Sequence, residues 1–313
     1  MKKDTQSPKN IVINKSAVEK VIEYHFNKKP KSVTELKGGL ANFVCEAEVG
    51  KEKYIVRISD KAKNLQHFLK EQWAVEKARE KKVPTPEILE VGNESIPHPY
   101  MISRKVEGIF GPDHPNRLEI LKEMGMYTAI INSIPTVGYG HVFDWSNNTL
   151  SKWNTWKEFM EREFKVWKHV DTFKENKVLT TQQIKKLKAE IKEMETWKGK
   201  PTLNHGDMRL KNVIVNKKGK IIAIHDWEHC VSSISPQWDL SVALHDLGID
   251  EKDAFLQGYG LNSEVYKKMS QGMKLINILN YGYAFQNALK KKDKEAMERI
   301  KVRLQGGFDA FTL

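Results

Sequence analysis

Cysteine is nearly missing from this chain of 313 residues: Cys45 and Cys230 are the only two. That excludes a disulfide framework and a cysteine-based zinc site, and two unpaired thiols suit a reducing cytoplasm. Long apolar runs are also lacking. No window approaches the roughly 20 consecutive apolar residues of a membrane span, so no membrane partner is expected. The opening "MKKDTQSPKN" is basic like a signal peptide but has no apolar stretch behind it, which again points to a cytoplasmic protein. Acidic residues are outnumbered, giving a net charge of +12. Such a balance invites a nucleic-acid reading, because phosphate backbones reward Lys and Arg. Most of the lysines, however, fall in mixed-sign stretches such as "QQIKKLKAEIKEME", which read as solvated helix faces. Finger spacings, an RNP aromatic run and a basic region followed by heptads are all absent, so no nucleic-acid partner is expected. What remains is an ordinary globular composition, 40% hydrophobic and 29% charged.

Periodicity then divides the chain. "SAVEKVIEYHF" carries Ser16-x-x-Glu19, the pattern of a capping box, and repeats Val18, Val21, Ile22, His25 and Phe26 at helical spacing. Strand-like runs follow in "SVTELKGGLANFVCEAEV" and "KYIVRIS", with Gly38-Gly39 as a tight bend in the first. A helix is expected over "KNLQHFLKEQWAVEKAREKK", ending before Pro84 and Pro86, and further strands over "EILEVG" and "PYMISRKVEG". Beyond Gly108 the texture becomes helical: "LEILKEMGMYTAIINS", then "TWKEFMEREFKVW" with a capping box at Thr155 and Glu158. "TTQQIKKLKAEIKEM" follows with Ile184, Leu187, Ile191 and Met194 on one face, and the tail beyond Gln237 is helical too. The reading is therefore α+β and bilobal: residues 1–104 form a small β-rich lobe, and residues 105–313 form a larger, mostly helical one.

Inside the second part lies "LNHGDMRLKNVIVNKKGKIIAIHDWEH". Phosphoryl transfer to an alcohol asks little covalent chemistry of a protein; positioning and charge neutralisation dominate. A carboxylate must take the alcohol proton, and hard oxygen ligands must hold magnesium. His205-Gly206-Asp207 followed by Asn212 has the spacing of the kinase catalytic loop H-R-D-x-x-x-x-N, with glycine in place of arginine. "VIV", the turn "NKKGK" and "IIAIH" read as a β-hairpin that returns the chain to bring Asp226 beside Asn212. Asp226-Trp227-Glu228 then takes the part of the kinase D-F-G. On this reading Asp207 is the base, and Asn212 and Asp226 are the metal ligands. Arg209 either reaches the migrating phosphate or steadies the loop. His205 and His225 read as structural histidines.

These residues, together with "WDL" after them, resemble the aminoglycoside phosphotransferase family, the small-molecule branch of the protein-kinase-like fold. The resemblance extends over most of the chain. It implies that "LKGGLANFVCEAEV", with Gly38 and Gly39, is a nucleotide loop, that Arg57 stands where a phosphate-binding lysine is usual, and that Glu71 pairs with it. It also implies that the backbone around Ser103 and Lys105 bonds the nucleotide base, and that Asp239 in "SPQWDL" is structural. The order "YIVRIS", "VPTPEILEVG", "MISRKVEG", "VGYG" and "TWKEF" is similar to hygromycin B phosphotransferases. His225 and Ser235-Pro236 depart from the family pattern, in a way that bears on the acceptor pocket rather than on the oxygen groups.

The implied activity is transfer of the γ-phosphate of ATP or GTP, with Mg2+, to a hydroxyl of an aminoglycoside-like small molecule. From Gln237 to Tyr266 the acids Asp239, Asp246, Asp250, Glu251, Asp253 and Glu264 face a single Lys or Arg, Lys252. Such a stretch suits a cationic acceptor, although each of these residues taken singly reads better as part of a solvated helix face. Three rivals stand beside this reading. One is a metabolic kinase of the same fold acting on choline, homoserine or a sugar amine. Another is a non-catalytic nucleotide-binding relative. The third, a protein kinase, lacks an A-P-E after Asp226.

Overall fold

The computed structural model describes residues 12–36, 42–141 and 153–308. In chain order the elements are α1 (Lys15–Phe26), β1 (Ser32–Glu35), β2 (Phe43–Val49), β3 (Glu52–Ile58), α2 (Asn64–Glu80), β4 (Ile88–Gly92), β5 (Tyr100–Arg104) and β6 (Ile109–Phe110). Next come α3 (Arg117–Asn132), a single turn α4 (Trp156–Glu158), α5 (Val166–Glu175), α6 (Thr181–Met194) and β7 (Pro201–Asn204). The hairpin β8 (Val213–Val215) and β9 (Ile221–Ile224) is followed by β10 (Val231–Ile234), α7 (Gln237–Ala243), α8 (Ile249–Tyr259), α9 (Ser263–Lys291) and α10 (Lys294–Phe308). The architecture is α+β. No described helix is long and apolar enough to cross a membrane.

Two compact units emerge: Met1–Phe110 with Val213–Glu228, and Gly111–Asn212 with His229–Leu313. The sequence-based boundary at residue 104 places the hairpin in the second lobe, whereas here it groups with the first. The reason is strand pairing. Ile109 and Phe110 of β6 lie antiparallel to Val215 and Ile214 of β8, and β8 in turn pairs with β9. The turn of that hairpin is built by Asn216, whose Oδ1 accepts the N–H groups of Lys218 (2.9 Å) and Lys220 (3.1 Å).

The first unit rests on an antiparallel sheet in the order β1-β2-β3-β5-β4. Alternation sends Cys45, Ala47, Val56, Ile58, Tyr100 and Ile102 into one core with Ala17, Val18, Val21 and Ile22 of α1. The capping box expected at Ser16 is not used. The helix begins at Lys15, so Ser16 already lies in its first turn, and Asn14 accepts the Ala17 N–H instead (3.2 Å). Helix α2 is unusual in burying two charged side chains, Lys70 and Glu71, among Phe68, Trp73, Ala74, Val75 and Ala78.

In the second unit one aromatic and aliphatic core joins Trp156, Phe159, Phe164, Phe173 and Trp238 to the apolar stripes of α6 and α9. Ile184, Leu187, Ile191 and Met194 are all buried, as their spacing predicts. The continuous helix expected over "TWKEFMEREFKVW" is interrupted. Thr155 and Glu158 do form their capping box, but α4 passes into a π turn over Phe159–Glu163 and Lys165 adopts φ 57°. The extra residue in the turn accommodates burial of Phe159, Met160 and Phe164. It also carries the Glu163 carboxylate to the backbone N–H of His141 (2.8 Å) and the indole N–H of Trp153 (2.6 Å).

His169 on α5 gives this core a pH dependence. It is fully buried, its Nε2 lacks a hydrogen-bond partner, and its ring lies edge-on to Tyr283 at 4.5 Å between centroids. Burial, aided by Lys168 and Lys165 against the backbone of Phe164, pushes the imidazole down to about 4 from 6.5. The unfolded chain therefore binds the proton first. Stability is unaffected above pH 6.5 and falls as pH drops from there toward 4, by about 3 kcal/mol in all. In thermal unfolding, His169→Leu should lose about 2 kcal/mol less than the parent between pH 7.5 and 5. Parallel losses in the two proteins would contradict this assignment.

Candidate active site

In the second unit β7 pairs antiparallel with β10, Asn204 opposite Val231, and the chain leaves β7 directly into His205-Gly206-Asp207. A short loop in this position needs its amides tied down, because buried backbone N–H groups tolerate no vacancy. Asp239, fully buried on α7, does so: it accepts the N–H of His205 at Oδ2 (3.0 Å) and of Gly206 at Oδ1 (2.8 Å). Asn132 of α3 donates to the same Oδ2 (2.8 Å) and to the carbonyl of Leu203 (3.2 Å), while Tyr259 of α8 donates to its amide oxygen (3.0 Å). Three helices thus hold one loop. Gly206 has φ +78°, and a Cβ there would stand 2.0 Å from the carbonyl oxygen of His229.

Asp207 lies 4% exposed inside a ring of donors. Its Oδ1 accepts from Arg209 Nε (2.5 Å), and its Oδ2 from Asn212 Nδ2 (2.9 Å) and Lys211 Nζ (3.2 Å). Burial alone would raise this carboxyl. Arg209, Asn212 and Lys211 outweigh it and hold the group below the usual carboxylate range. Asp207 is therefore an anion at neutral pH, able to orient a hydroxyl and take its proton. Asn212 spends its amide nitrogen on Asp207, both on the carboxylate and on the backbone oxygen (2.8 Å), which leaves the amide oxygen as its remaining ligand atom. Arg209 is bound to Asp207.

Asp207 and Arg209 line a cavity of 680 Å³ with Trp238, Asn277, Asn280, Asn287, Tyr281 and Tyr283. Amides and aromatic faces of this kind suit a polyhydroxylated ring. Among the described residues its carboxylates are Asp207 and Glu163. The acids of the stretch from Gln237 to Tyr266 do not line it. Asp239 holds the loop, Glu251 pairs with Arg117 (2.7 Å), Asp246 with Arg303 (3.4 Å) and Glu264 with Lys268 (3.6 Å), and Asp253 accepts from Gln257 (2.8 Å). These carboxylates serve the fold and its surface.

The first unit carries the remaining predicted residues. On β3, Arg57 pairs with Glu71 of α2, stacks its guanidinium over the Phe68 ring (5.2 Å) and contacts Met101 Sδ (3.0 Å). Burial pushes the Glu71 carboxyl up against the pull of Arg57. Burial likewise opposes the Arg57 charge, which Glu71, Asp226 and Glu228 sustain. Asp226, just past β9, holds φ +67°, a left-handed conformation that aspartate adopts more readily than most residues. Trp227 behind it is buried and donates to the carbonyl of Ile224 (2.9 Å).

Ser103 sits within β5, opposite Ile55 of β3 and Ile88 of β4, and the Lys105 N–H is already donated to the carbonyl of Lys53 (3.0 Å). The resemblance assigns the backbone around these two positions to the nucleotide base. The Lys105 ammonium is spent on Glu46 (2.8 Å) and Glu107 (3.1 Å). Gly38 and Gly39 lie outside the described residues.

Sequence reading missed Lys70, Asn132, Glu163 and the wall of α9. Each sits far along the chain from the residues it serves. The one local hint is at Lys70-Glu71, where two charges fall among the apolar residues of the buried face of α2. No group of three or more His, Cys, Asp or Glu is placed to hold a metal among the described residues. Asp226 in the first unit offers a carboxylate and Asn212 in the second an amide oxygen, each a kind of oxygen donor that a hard cation takes.

A model of the phosphotransferase enzyme family matches residues 32–271. A comparison with curated proteins finds no match. Among solved structures, aminoglycoside phosphotransferase APH(4)-Ia superposes with TM-score 0.70 and 18% identity, over 94% of this chain and 98% of that one. A thermostable mutant of it in a ternary complex with AMP-PNP and hygromycin B gives 0.70 and 16%, over 93% and 97%. The GDP complex of aminoglycoside 2'-phosphotransferase-IIIa gives 0.67 and 15%, over 94% and 98%. Likeness at such identity is likeness of fold.

Proposed function

We propose that this chain, which belongs to the phosphotransferase enzyme family, transfers the γ-phosphate of ATP or GTP to a hydroxyl of an aminoglycoside-like acceptor. The observation that carries the reading is Asp207, kept anionic by Arg209, Asn212 and Lys211 at the wall of a cavity of 680 Å³. Solved structures of the same fold with AMP-PNP and hygromycin B, or with GDP, support a nucleotide and an aminosugar as the two substrates. The acceptor would rest against Trp238 and Tyr281 with its hydroxyl at Asp207, which orients it and takes its proton. Arg57, held by Glu71, would bind phosphate oxygens. Arg209 would exchange Asp207 for the migrating phosphoryl group as charge builds there. Asn212 and Asp226 would hold Mg2+, which supplies neutralisation of phosphate charge when bound.

The sparse acidity of the cavity among the described residues favours a second form of the same chemistry. With Asp207 and Glu163 as its carboxylates, the cavity suits an acceptor with one or two amines, as in a metabolic sugar amine or choline, as well as it suits a polycation. A coupled assay of ADP or GDP release, run with Mg2+ and a panel of aminoglycosides including hygromycin B, choline, homoserine and sugar amines, separates the two. Stimulation by an antibiotic supports the first form, and stimulation by a metabolite alone supports the second. Nucleotide binding without stimulation by any acceptor would favour a non-catalytic relative. Failure to bind nucleotide would end the proposal.

A further inference from the structure

Lys70 is 2% exposed, a rare condition for a lysine, and its burial is tolerable only if the ammonium is well supplied with acceptors and opposite charge. It lies on α2 immediately before Glu71, and its Nζ donates to the backbone carbonyl of Glu228 at 2.8 Å. Glu228 lies in the middle of the short 3-10 turn Trp227–His229 that follows Asp226, whose left-handed backbone has to be held by its surroundings. The Lys70 ammonium also acts electrostatically on Glu71, and Asp226 and Glu228 act on Arg57. Two adjacent residues of one helix therefore reach two different places: Glu71 the arginine of β3, and Lys70 the turn that carries Asp226.

We propose that Lys70 is a positioning residue that ties the Asp226 turn to α2, so that cation binding at Asp226 and formation of the Arg57–Glu71 pair are coupled. The coupling rests on the reading of Asp226 as a metal ligand; the mechanical part, that Lys70 holds the turn, does not. Helix α2 is the common lever. A shift that withdraws Glu71 from Arg57 also draws the Glu228 carbonyl, and with it the backbone that aims the Asp226 carboxylate. A buried lysine serves this purpose better than an apolar residue of equal size because its bond to a carbonyl is directional and charge-assisted.

The test uses the full chain with Lys70→Met, which keeps length and apolar volume, and Lys70→Arg, which keeps charge and donors. In the protein free of metal and nucleotide, hydrogen exchange of the backbone amides of residues 227–230 should accelerate about tenfold in Lys70→Met, as expected for loss of one charge-assisted bond, and less in Lys70→Arg. ATP binding measured by calorimetry should be unchanged without Mg2+, while the gain on adding Mg2+ should shrink about tenfold in Lys70→Met and be partly restored in Lys70→Arg. Wild-type exchange together with an undiminished Mg2+ gain in Lys70→Met would overturn the proposal. So would equal weakening of ATP binding with and without Mg2+, which marks a merely structural lysine, and so would failure of both variants to fold. Asp226→Ala separates the two claims. If it retains the full Mg2+ gain, the metal reading of Asp226 fails and the proposed coupling with it, whereas the exchange result still decides whether Lys70 holds the turn.

Discussion

Asp207→Ala is expected to lower turnover by about 10²–10⁴-fold while leaving nucleotide affinity within about twofold, the pattern of a lost proton acceptor and not of a lost binding group. The expectation rests on where its oxygens are spent. Arg209 holds one oxygen, and Asn212 with Lys211 holds the other. Removing the carboxylate leaves two cations and an amide facing one another at the cavity wall. Asp207→Asn should fare no better, because its new amide would point donors at existing donors. The depressed carboxyl adds a pH signature. Asp207 stays ionised well into the acid range, so kcat/KM should show no acid limb assignable to it above about pH 4, the ordinary carboxylate value. Steady-state kinetics of both variants, with nucleotide binding followed by calorimetry, would check this. Full activity in Asp207→Ala would refute its role, and a large loss of nucleotide affinity would move it to the binding machinery.

Gly206→Ala should be nearly as damaging, for a reason of geometry. At φ +78° a Cβ costs about 1–2 kcal/mol by conformation alone. Here the added carbon would also meet the His229 carbonyl oxygen at 2.0 Å, where the obstacle is backbone and not a side-chain tip. Either the loop or the His229 backbone must shift. A shift of the loop breaks the paired N–H groups of His205 and Gly206 away from Asp239 and misplaces Asp207. The combined cost should exceed about 3 kcal/mol of stability, with activity lost beyond what unfolding explains. Gly50 provides the control. Its φ is +66° and nothing lies within 4 Å of a Cβ there, so Gly50→Ala should show the conformational part alone. Thermal unfolding of both variants separates the two contributions; equal small losses would mean that the His229 backbone yields freely. The same geometry explains why this loop carries glycine where kinases of the H-R-D type carry arginine.

The parts of the molecule that were legible in the sequence are those governed by neighbours in the chain. The Thr155–Glu158 box, the α6 stripe, the alternation of β2 and β3, and the hairpin over "VIVNKKGKIIAI" all form where their patterns occur, because caps, turns and faces act over three to five residues. The spacing from His205 to Asn212 likewise closes on itself: Asn212 bonds Asp207 five positions back. Where local signals competed, the outcome changed. Asn14 displaced Ser16 as the cap of α1, and the pull of Glu163 and Phe164 into the interior replaced an α turn by a π turn.

Chain pattern alone therefore determined an α+β molecule and the short loop in which Asn212 closes on Asp207. Tertiary structure decided the rest. It kept the acids of the Gln237–Tyr266 stretch out of the lining of the cavity beside Asp207 and gave them anchoring and surface tasks. It brought Asn132, Asp239 and Tyr259 from three helices onto one loop, and set Lys70 of α2 against the carbonyl of Glu228. It also grouped the β8–β9 hairpin with the first unit through β6. The physical reason is common to all four. A polar group's partner is chosen by burial, where an unmatched donor or charge is costly, and burial brings together residues that no periodicity in the chain connects.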